Sequence, residues 1–157
     1  MKQHGAMTEF IPKTADYAQR VTDSFARQAA LATMGAELIS IEPGKVVMEM
    51  PHDDRFTQQH GFIHAGVTTT VLDTACGYAA FSLMPADAGV LTVELKTNLL
   101  APAAGERFLF AGRVIKPGRT VTFCEGEAFA LSGGKKKRIA TLSATMMTVL
   151  GRDDVKS

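Results

Sequence analysis

The side chains best suited to chemistry are concentrated in QQHGFIHAGVTTTVLDTACGYAAF, residues 58–81. This segment is nearly free of charge, yet its one carboxylate, Asp73, lies among apolar neighbours such as Leu72 and Ala75. An isolated buried carboxylate is costly unless it is paired, hydrogen-bonded or held at a shifted pKa. Asp73 is therefore either a functional acid or a structural one, paired within the core or capping a helix start at Thr74.

Two histidines and two glycines lie upstream of Asp73. His60 and His64 stand four residues apart, but no Glu lies between them and no third ligand is within sequence reach, so we expect no metal site. Gly61 and Gly66 bracket His64, which we expect to cap or orient the loop at a helix start. Unpaired backbone N–H groups at such a start can stabilise negative charge on a substrate oxygen.

The composition indicates one globular domain. The chain has 157 residues, 46% of them hydrophobic and 21% charged, and its net charge of +1 favours neither nucleic acid nor a membrane as partner. We divide it into a flexible N-terminus (1–14), a single domain (15–150) and a C-terminal tail (151–157). No signal peptide is apparent. Cys76 and Cys124 have no metal or redox spacing, so we interpret them as buried free thiols in a cytoplasmic protein.

Helical spacing occurs in two places. Residues 16–34 predict one amphipathic helix that ends at Gly35. After Gly66 the apolar residues surround the helix axis, which predicts a helix covered on most sides and stopped by Pro85. Asp73 near its middle argues against a membrane span.

Alternation typical of strands fills the remainder of the chain. A hairpin with its turn at Pro43 and Gly44 precedes the buried helix, and four strands follow the helix. In the first of the four, one apolar row opposes one polar row: Leu91, Val93, Leu95 and Leu99 against Thr92, Glu94, Lys96 and Asn98. The last three form an antiparallel meander. The predicted fold class is α+β, a curved and mostly antiparallel sheet of about six strands around a long central helix, with an N-terminal helix.

Several motifs together carry a family resemblance. HGFIHAG, LDTACGYAA, VELKTNLLAPAAGE and VIKPGRTVTF occur in this order over roughly residues 35–150. In this the chain resembles the PaaI-like branch of the hot-dog-fold acyl-CoA thioesterases. The resemblance implies a hot-dog fold, a homodimer that often pairs into a tetramer, and hydrolysis of an acyl-CoA thioester without a metal or redox cofactor.

The resemblance also implies roles for single residues. Asp73 falls on the family's general base or nucleophile, and Ala65, between His64 and Gly66, supplies the N–H that binds the thioester oxygen. The family's upstream amide falls on Gln58 or its neighbour Gln59. The family commonly has His-Gly-Gly where this chain has His-Ala-Gly, so Ala65 keeps the N–H and adds a methyl group.

On one helix Asp73 lies roughly 10 Å or more from the helix start, because each residue adds 1.5 Å. We therefore expect a symmetric dimer in which Asp73 of one chain serves the helix start of the other.

Candidate substrate contacts lie outside this segment. A neutral chain can hold the CoA phosphates only through local cations, for which the candidates are Lys116, Arg119, Lys135, Lys136, Lys137 and Arg138. A solvated edge guarded by lysines is the simpler interpretation of the last four. Phe81 and Met84 are candidates for the acyl pocket, with plain core packing as the alternative. An acyl-thioester hydratase or dehydratase and a non-catalytic acyl-CoA-binding module are the rival functions.

Overall fold

A computed structural model describes residues 9–155. Two short helices open this part of the chain, α1 (Tyr17–Phe25) and α2 (Ala29–Thr33), so the prediction of one helix over residues 16–34 is wrong. Gln28 between them is extended, and its side-chain amide donates a 2.8 Å hydrogen bond to the Tyr78 hydroxyl. Tertiary contact thus overrides the helical pattern. Gly35, with φ of 67°, ends α2 as predicted.

The strands form one antiparallel sheet. They are β1 (Glu37–Glu42), β2 (Lys45–Pro51), β3 (Gly89–Leu99), β4 (Arg107–Lys116), β5 (Val121–Ser132) and β6 (Lys135–Val149). Their order across the sheet is β1-β2-β4-β5-β6-β3, which confirms the predicted hairpin and meander. Because β3 lies at the end of this order, its outer edge has no strand partner in the described part of the chain.

The central helix, α3 (Ala65–Phe81), packs against the sheet and buries most of its side chains, as predicted. Two glycines let it approach closely: Gly112 of β4 and Gly126 of β5 pair directly beneath it. A Cβ on Gly112 would overlap the backbone carbonyl of Ala75, and one on Gly126 would lie 3.0 Å from the Cys76 sulfur. The contact between helix and sheet therefore depends on the absence of these two side chains.

Helix α3 ends before Pro85, the residue predicted to stop it. The helix finishes at Phe81 because Ser82 ties its end to the β1–β2 turn: the Ser82 hydroxyl accepts from Gly44 N at 2.8 Å and donates to Ala79 O at 2.7 Å. None of the described helices is long and apolar enough to cross a membrane.

Strand β3 departs from the predicted alternation. A bulge lies between Thr92 and Glu94, where Val93 has no residue opposite it in β6. The bulge places Leu91 and Leu95 on opposite faces, so the single apolar row predicted for this strand is wrong. Thr92, which precedes the bulge, therefore shares the helix-facing side of the sheet with Leu95 and Thr97, which follow it. The helix-facing row of β3 is Val90, Thr92, Leu95, Thr97 and Leu99.

The ends of the described chain contact the domain. Phe10 packs against the core beside Gly44, and Val155 lies against Gly89, the first residue of β3. Of the predicted flexible N-terminus and C-terminal tail, residues 1–8 and 156–157 lie outside the described part of the chain.

Candidate active site

The start of α3 carries an unoccupied backbone donor. His64 is the N-cap: its Nδ1 accepts a 2.9 Å hydrogen bond from Gly66 N, and its carbonyl accepts from Val67 N and Thr68 N. The Ala65 N–H has no hydrogen-bond partner among the described residues. With the positive end of the helix dipole behind it, this N–H can receive a developing oxyanion.

The loop before α3 positions Gln58. A bridge between Thr57 and Ile63 closes the loop, Gln58 N donates to Phe62 O at 2.8 Å, and Gly61 takes a φ of 81° to make the turn. The side-chain oxygen of Gln58 accepts from His60 N, so its amide nitrogen remains free to donate to a substrate.

Gln59 differs from its neighbour. Its side chain is exposed and lies 3.4 Å from the His60 ring. Only Gln58 of the two reaches the adjoining cavity.

A cavity of about 530 Å³ opens beside this helix start. Its lining is almost entirely apolar: Phe62, Ile63, Ala65, Leu99, Leu100, Ala101, Pro102, Ala103 and Ile139, with Gln58, His64 and Thr68 as the polar members. Leu99 and Leu100, 58% and 52% exposed, form the mouth, and the buried Ile139 contributes to the base. A mostly apolar cleft with few polar groups is typical of a small-molecule site.

Asp73 lies on a different side of α3, facing β3. The Thr92 hydroxyl donates a 2.7 Å hydrogen bond to its Oδ1. Burial raises the pKa of the Asp73 carboxyl, and the bond from Thr92 opposes that rise. Asp73 does not line the cavity of its own chain, and it is about 12 Å from Ala65 along the helix axis at 1.5 Å per residue.

Known proteins share this architecture. Residues 60–137 match the thioesterase superfamily. Acyl-coenzyme A thioesterase 13 of Homo sapiens is 30% identical over 99 residues, 62% of this chain and 70% of that protein. The crystal structure of a thioesterase family protein from Silicibacter pomeroyi is 56% identical with a TM-score of 0.85, covering 86% of this chain and 99% of that one.

The chain belongs to the thioesterase superfamily. This confirms the predicted hot-dog fold class and, at the level of the family, the predicted thioester hydrolase. The Escherichia coli PaaI protein, 20% identical, shares the fold with a TM-score of 0.77 over 87% of this chain and 95% of its own. Matches to eight curated relatives span 56–70% of those proteins' lengths.

The predicted basic residues of this thioesterase lie at two ends of the sheet. Lys116 ends β4 and Arg119 lies in the β4–β5 turn, whereas Lys135, Lys136, Lys137 and Arg138 begin β6 close to the cavity residue Ile139. All six are exposed.

The four residues of β6 alternate in direction. Lys136 Nζ lies 4.0 Å from the centre of the Phe129 ring, and Arg138 pairs with Glu127 at 2.7 Å. Lys137 instead pairs in register with Ala130, whose side chain faces the core, so Lys137 lies on the helix side of the sheet.

The structure gives Phe81 and Met84 a core position. They are 1% and 3% exposed and do not line the cavity. The Arg20 guanidinium lies 4.5 Å from the centre of the Phe81 ring and donates to Met84 O at 3.1 Å. This end of α3 therefore holds α1 and does not contribute to the cavity at the start of the helix.

Both cysteines are free and buried, as predicted. Burial raises the pKa of the Cys124 thiol to about 12 and that of Cys76 well above its usual value, so neither thiol ionises at neutral pH. Within residues 9–155 no group of three or more His, Cys, Asp or Glu side chains is placed to hold a metal ion.

Several site residues escaped prediction. The alternation predicts Thr92 on the polar face of β3, and no sequence signal marks the bulge that turns it towards Asp73. Ile139 was not among the predicted site residues. Its carbonyl accepts hydrogen bonds from both Leu100 N and Ala101 N, and these bonds direct the segment after β3 around the cavity. The Ala-Pro pair at 101–102 is a sequence feature that could have indicated an irregular segment there.

Proposed function

We propose that the protein hydrolyses the thioester of acyl-CoA substrates at a site formed by two chains. The observation that carries the proposal is the unpaired Ala65 N–H at an apolar cavity, combined with an Asp73 that faces away from that cavity. Membership of the thioesterase superfamily, and the name of the human relative, support CoA esters as the substrate class.

The free edge of β3 favours a second chain as partner. Val93 is 59% exposed and Leu91 is 42% exposed on this strand, and a long unpaired apolar edge strand readily pairs with another chain through its free N–H and C=O groups. Antiparallel pairing of two β3 strands about a two-fold axis would satisfy both edges at once.

Such pairing would also complete the site. With the two-fold axis at Leu95, Thr97 of one strand comes opposite the bulge at Thr92 and Val93 of the other. Thr92 holds Asp73, and Thr97 accepts a 3.0 Å hydrogen bond from Thr69, one turn along α3 from Ala65. The second chain's carboxylate is thereby brought to the helix start of the first.

The reaction then follows from these groups. Ala65 N–H holds the thioester oxygen while water attacks the carbonyl carbon and Asp73 of the second chain accepts the proton. The C–S bond breaks with its electron pair passing to sulfur, and Asp73 returns the proton to the CoA thiolate. A carboxyl with a raised pKa suits this role because it is a stronger base. Direct attack by Asp73 on the carbonyl is the alternative first step.

Mixing two inactive variants tests the shared site. Asp73→Asn and Gln58→Ala each disable one half of a site, so a heterodimer of the two variants contains one intact site of its two. At equal mixing half of the dimers are heterodimers, and the mixture should therefore show about a quarter of wild-type activity. Free-thiol release is the measurement, and native mass spectrometry verifies exchange.

Gln59→Ala is the matched control, because Gln59 does not reach the cavity; we expect it to retain activity. Absence of recovery after verified exchange would place both groups in one chain. Lack of any thioester hydrolysis by the wild-type protein would refute the proposed function itself.

Lys135 and Lys137 are proposed to bind the CoA phosphates. Replacing both by alanine should raise KM for acyl-CoA about tenfold at low ionic strength, with a smaller change in kcat, because the phosphates lie far from the reacting carbonyl. The effect should shrink as salt screens the charges. A short thioester without the nucleotide should show little change.

Lys136→Ala serves as the control, since Lys136 lies over the Phe129 ring on the other face. An unchanged KM in the Lys135/Lys137 variant, with a raised KM in Arg119→Ala, would transfer the phosphate site to the β4–β5 turn. If none of these changes matters, a carrier-protein thioester becomes the substrate to test.

A further inference from the structure

Among the three buried polar residues in the described part of the chain, Thr68 is the one whose side chain makes no hydrogen bond. It is 2% exposed. Two other polar residues are buried to this degree in the described chain, and both have partners: Ser82 bonds Gly44 and Ala79, and Thr122 accepts from Gly118 N. The Thr68 hydroxyl takes part in no hydrogen bond with any described residue.

The neighbouring threonines of α3 are satisfied locally. Thr69 donates to Thr97, Thr70 to Gly66 O and Thr74 to Thr70 O. The Thr68 hydroxyl has no such local partner, although the residue as a whole is buried. The Thr68 hydroxyl is thus available to hydrogen-bond water or a ligand in the space it adjoins.

That space is the cavity. Thr68 lines it, and its oxygen is not among the fully enclosed unpaired side-chain atoms, which in the described residues comprise His52 Nδ1 alone. The other buried residues of the lining are apolar: Ile63, Ala103 and Ile139. The base of the cavity thus offers one hydroxyl within an apolar wall.

The position of this hydroxyl relative to Ala65 limits what it can contact. Thr68 follows Ala65 by three residues, about 4.5 Å along the axis, on the same side of the helix. Helical side chains lean towards the N-terminus, which brings the hydroxyl back towards the Ala65 N–H. An acyl group whose carbonyl oxygen is bound at Ala65 would therefore pass the Thr68 hydroxyl within two or three bonds of the carbonyl carbon.

We propose that Thr68 selects acyl groups with a hydroxyl or oxo oxygen on the carbon β to the thioester carbonyl. This inference rests on the proposed function and names the substrate class within it. The lining contains no Lys or Arg, so acyl groups ending in a carboxylate are disfavoured. The remainder of the acyl group is apolar and packs on Ile63 and Ile139.

Matched substrates test the assignment. We expect the wild-type protein to prefer 3-hydroxyhexanoyl-CoA over hexanoyl-CoA, measured as the ratio of their kcat/KM values. Thr68→Val keeps the side-chain shape and removes the hydroxyl, so that ratio should fall about tenfold, whereas Thr68→Ser should restore much of it. Thr22→Val, whose hydroxyl bonds Ala18 O on the exposed side of α1, should leave the ratio unchanged.

The outcomes separate this inference from the proposed function. A protein that hydrolyses both esters with a ratio near one, or a Thr68→Val variant that slows both equally, overturns the role of Thr68 and leaves thioester hydrolysis standing. A wild-type protein that hydrolyses neither these nor other acyl-CoA esters overturns the proposed function and this inference together.

Discussion

Asp73→Asn is expected to lower kcat for the best acyl-CoA ester by about 10²-fold or more while the protein stays folded. Asparagine keeps the shape of the side chain and can still accept from Thr92, but it can neither take a proton from water nor attack the carbonyl. Thiol release is measured at saturating substrate. Asp23→Asn, on the exposed part of α1 beside Gln19, is the control and should retain activity. A folded Asp73→Asn protein with near wild-type kcat would refute the assignment.

The raised pKa of Asp73 predicts how both activity and stability depend on pH. Activity should fall as pH drops through this raised value, because the protonated carboxyl is no base. In the folded state the carboxyl holds its proton to a higher pH than in the unfolded chain, so its stability contribution falls as pH rises through the folded pKa. Asp73→Asn should therefore be more thermostable than wild type above that pKa and no more stable at low pH.

Gly112→Ala is expected to destabilise the protein by about 3 kcal/mol, at the upper end of overpacking effects. The new methyl group would overlap the Ala75 carbonyl, which is helix backbone and cannot rotate away. Thermal unfolding of the purified variant measures the loss. An unchanged melting temperature would mean that α3 does not lie against β4 as closely as described.

Gly126→Ala is the matched comparison, since its methyl group would meet the Cys76 side chain at 3.0 Å. We expect a loss of about 1 kcal/mol, because a side chain can shift. Adding Cys76→Ala should relieve Gly126→Ala and not Gly112→Ala. A double-mutant cycle should therefore give a favourable coupling energy for the first pair only.

The fold was predictable where local pattern and tertiary structure agree. The turn at Pro43 and Gly44, the buried helix and the β4–β6 meander each carry a strong local signal. The prediction failed where a distant contact decides the outcome. Gln28 leaves the helical pattern because Tyr78, fifty positions away in the chain, accepts its amide hydrogen bond. Prediction of such a pair requires the packing itself.

The site was predictable in part for a similar reason. His64, Ala65 and Gln58 belong to one contiguous motif, and the structure brings them together at the cavity. The partners contributed by β3 could not be read from alternation, because the bulge at Val93 exchanges the faces of the strand. Thr92 thereby reaches Asp73 although the pattern assigned it to the opposite side.

The unpaired edge of β3 implies that substrate concentration affects how far the chains associate into dimers. If each site draws residues from two chains, specific activity falls when dilution separates the pair, and its concentration dependence reports the dissociation constant of the dimer. A thioester bound across such a seam would contact both chains, so it would stabilise the pair over separate chains by RT ln(1 + [S]/Kd), about 2.7 kcal/mol at a hundredfold excess over Kd. Enzyme diluted together with substrate should therefore keep its specific activity to a lower protein concentration than enzyme diluted alone.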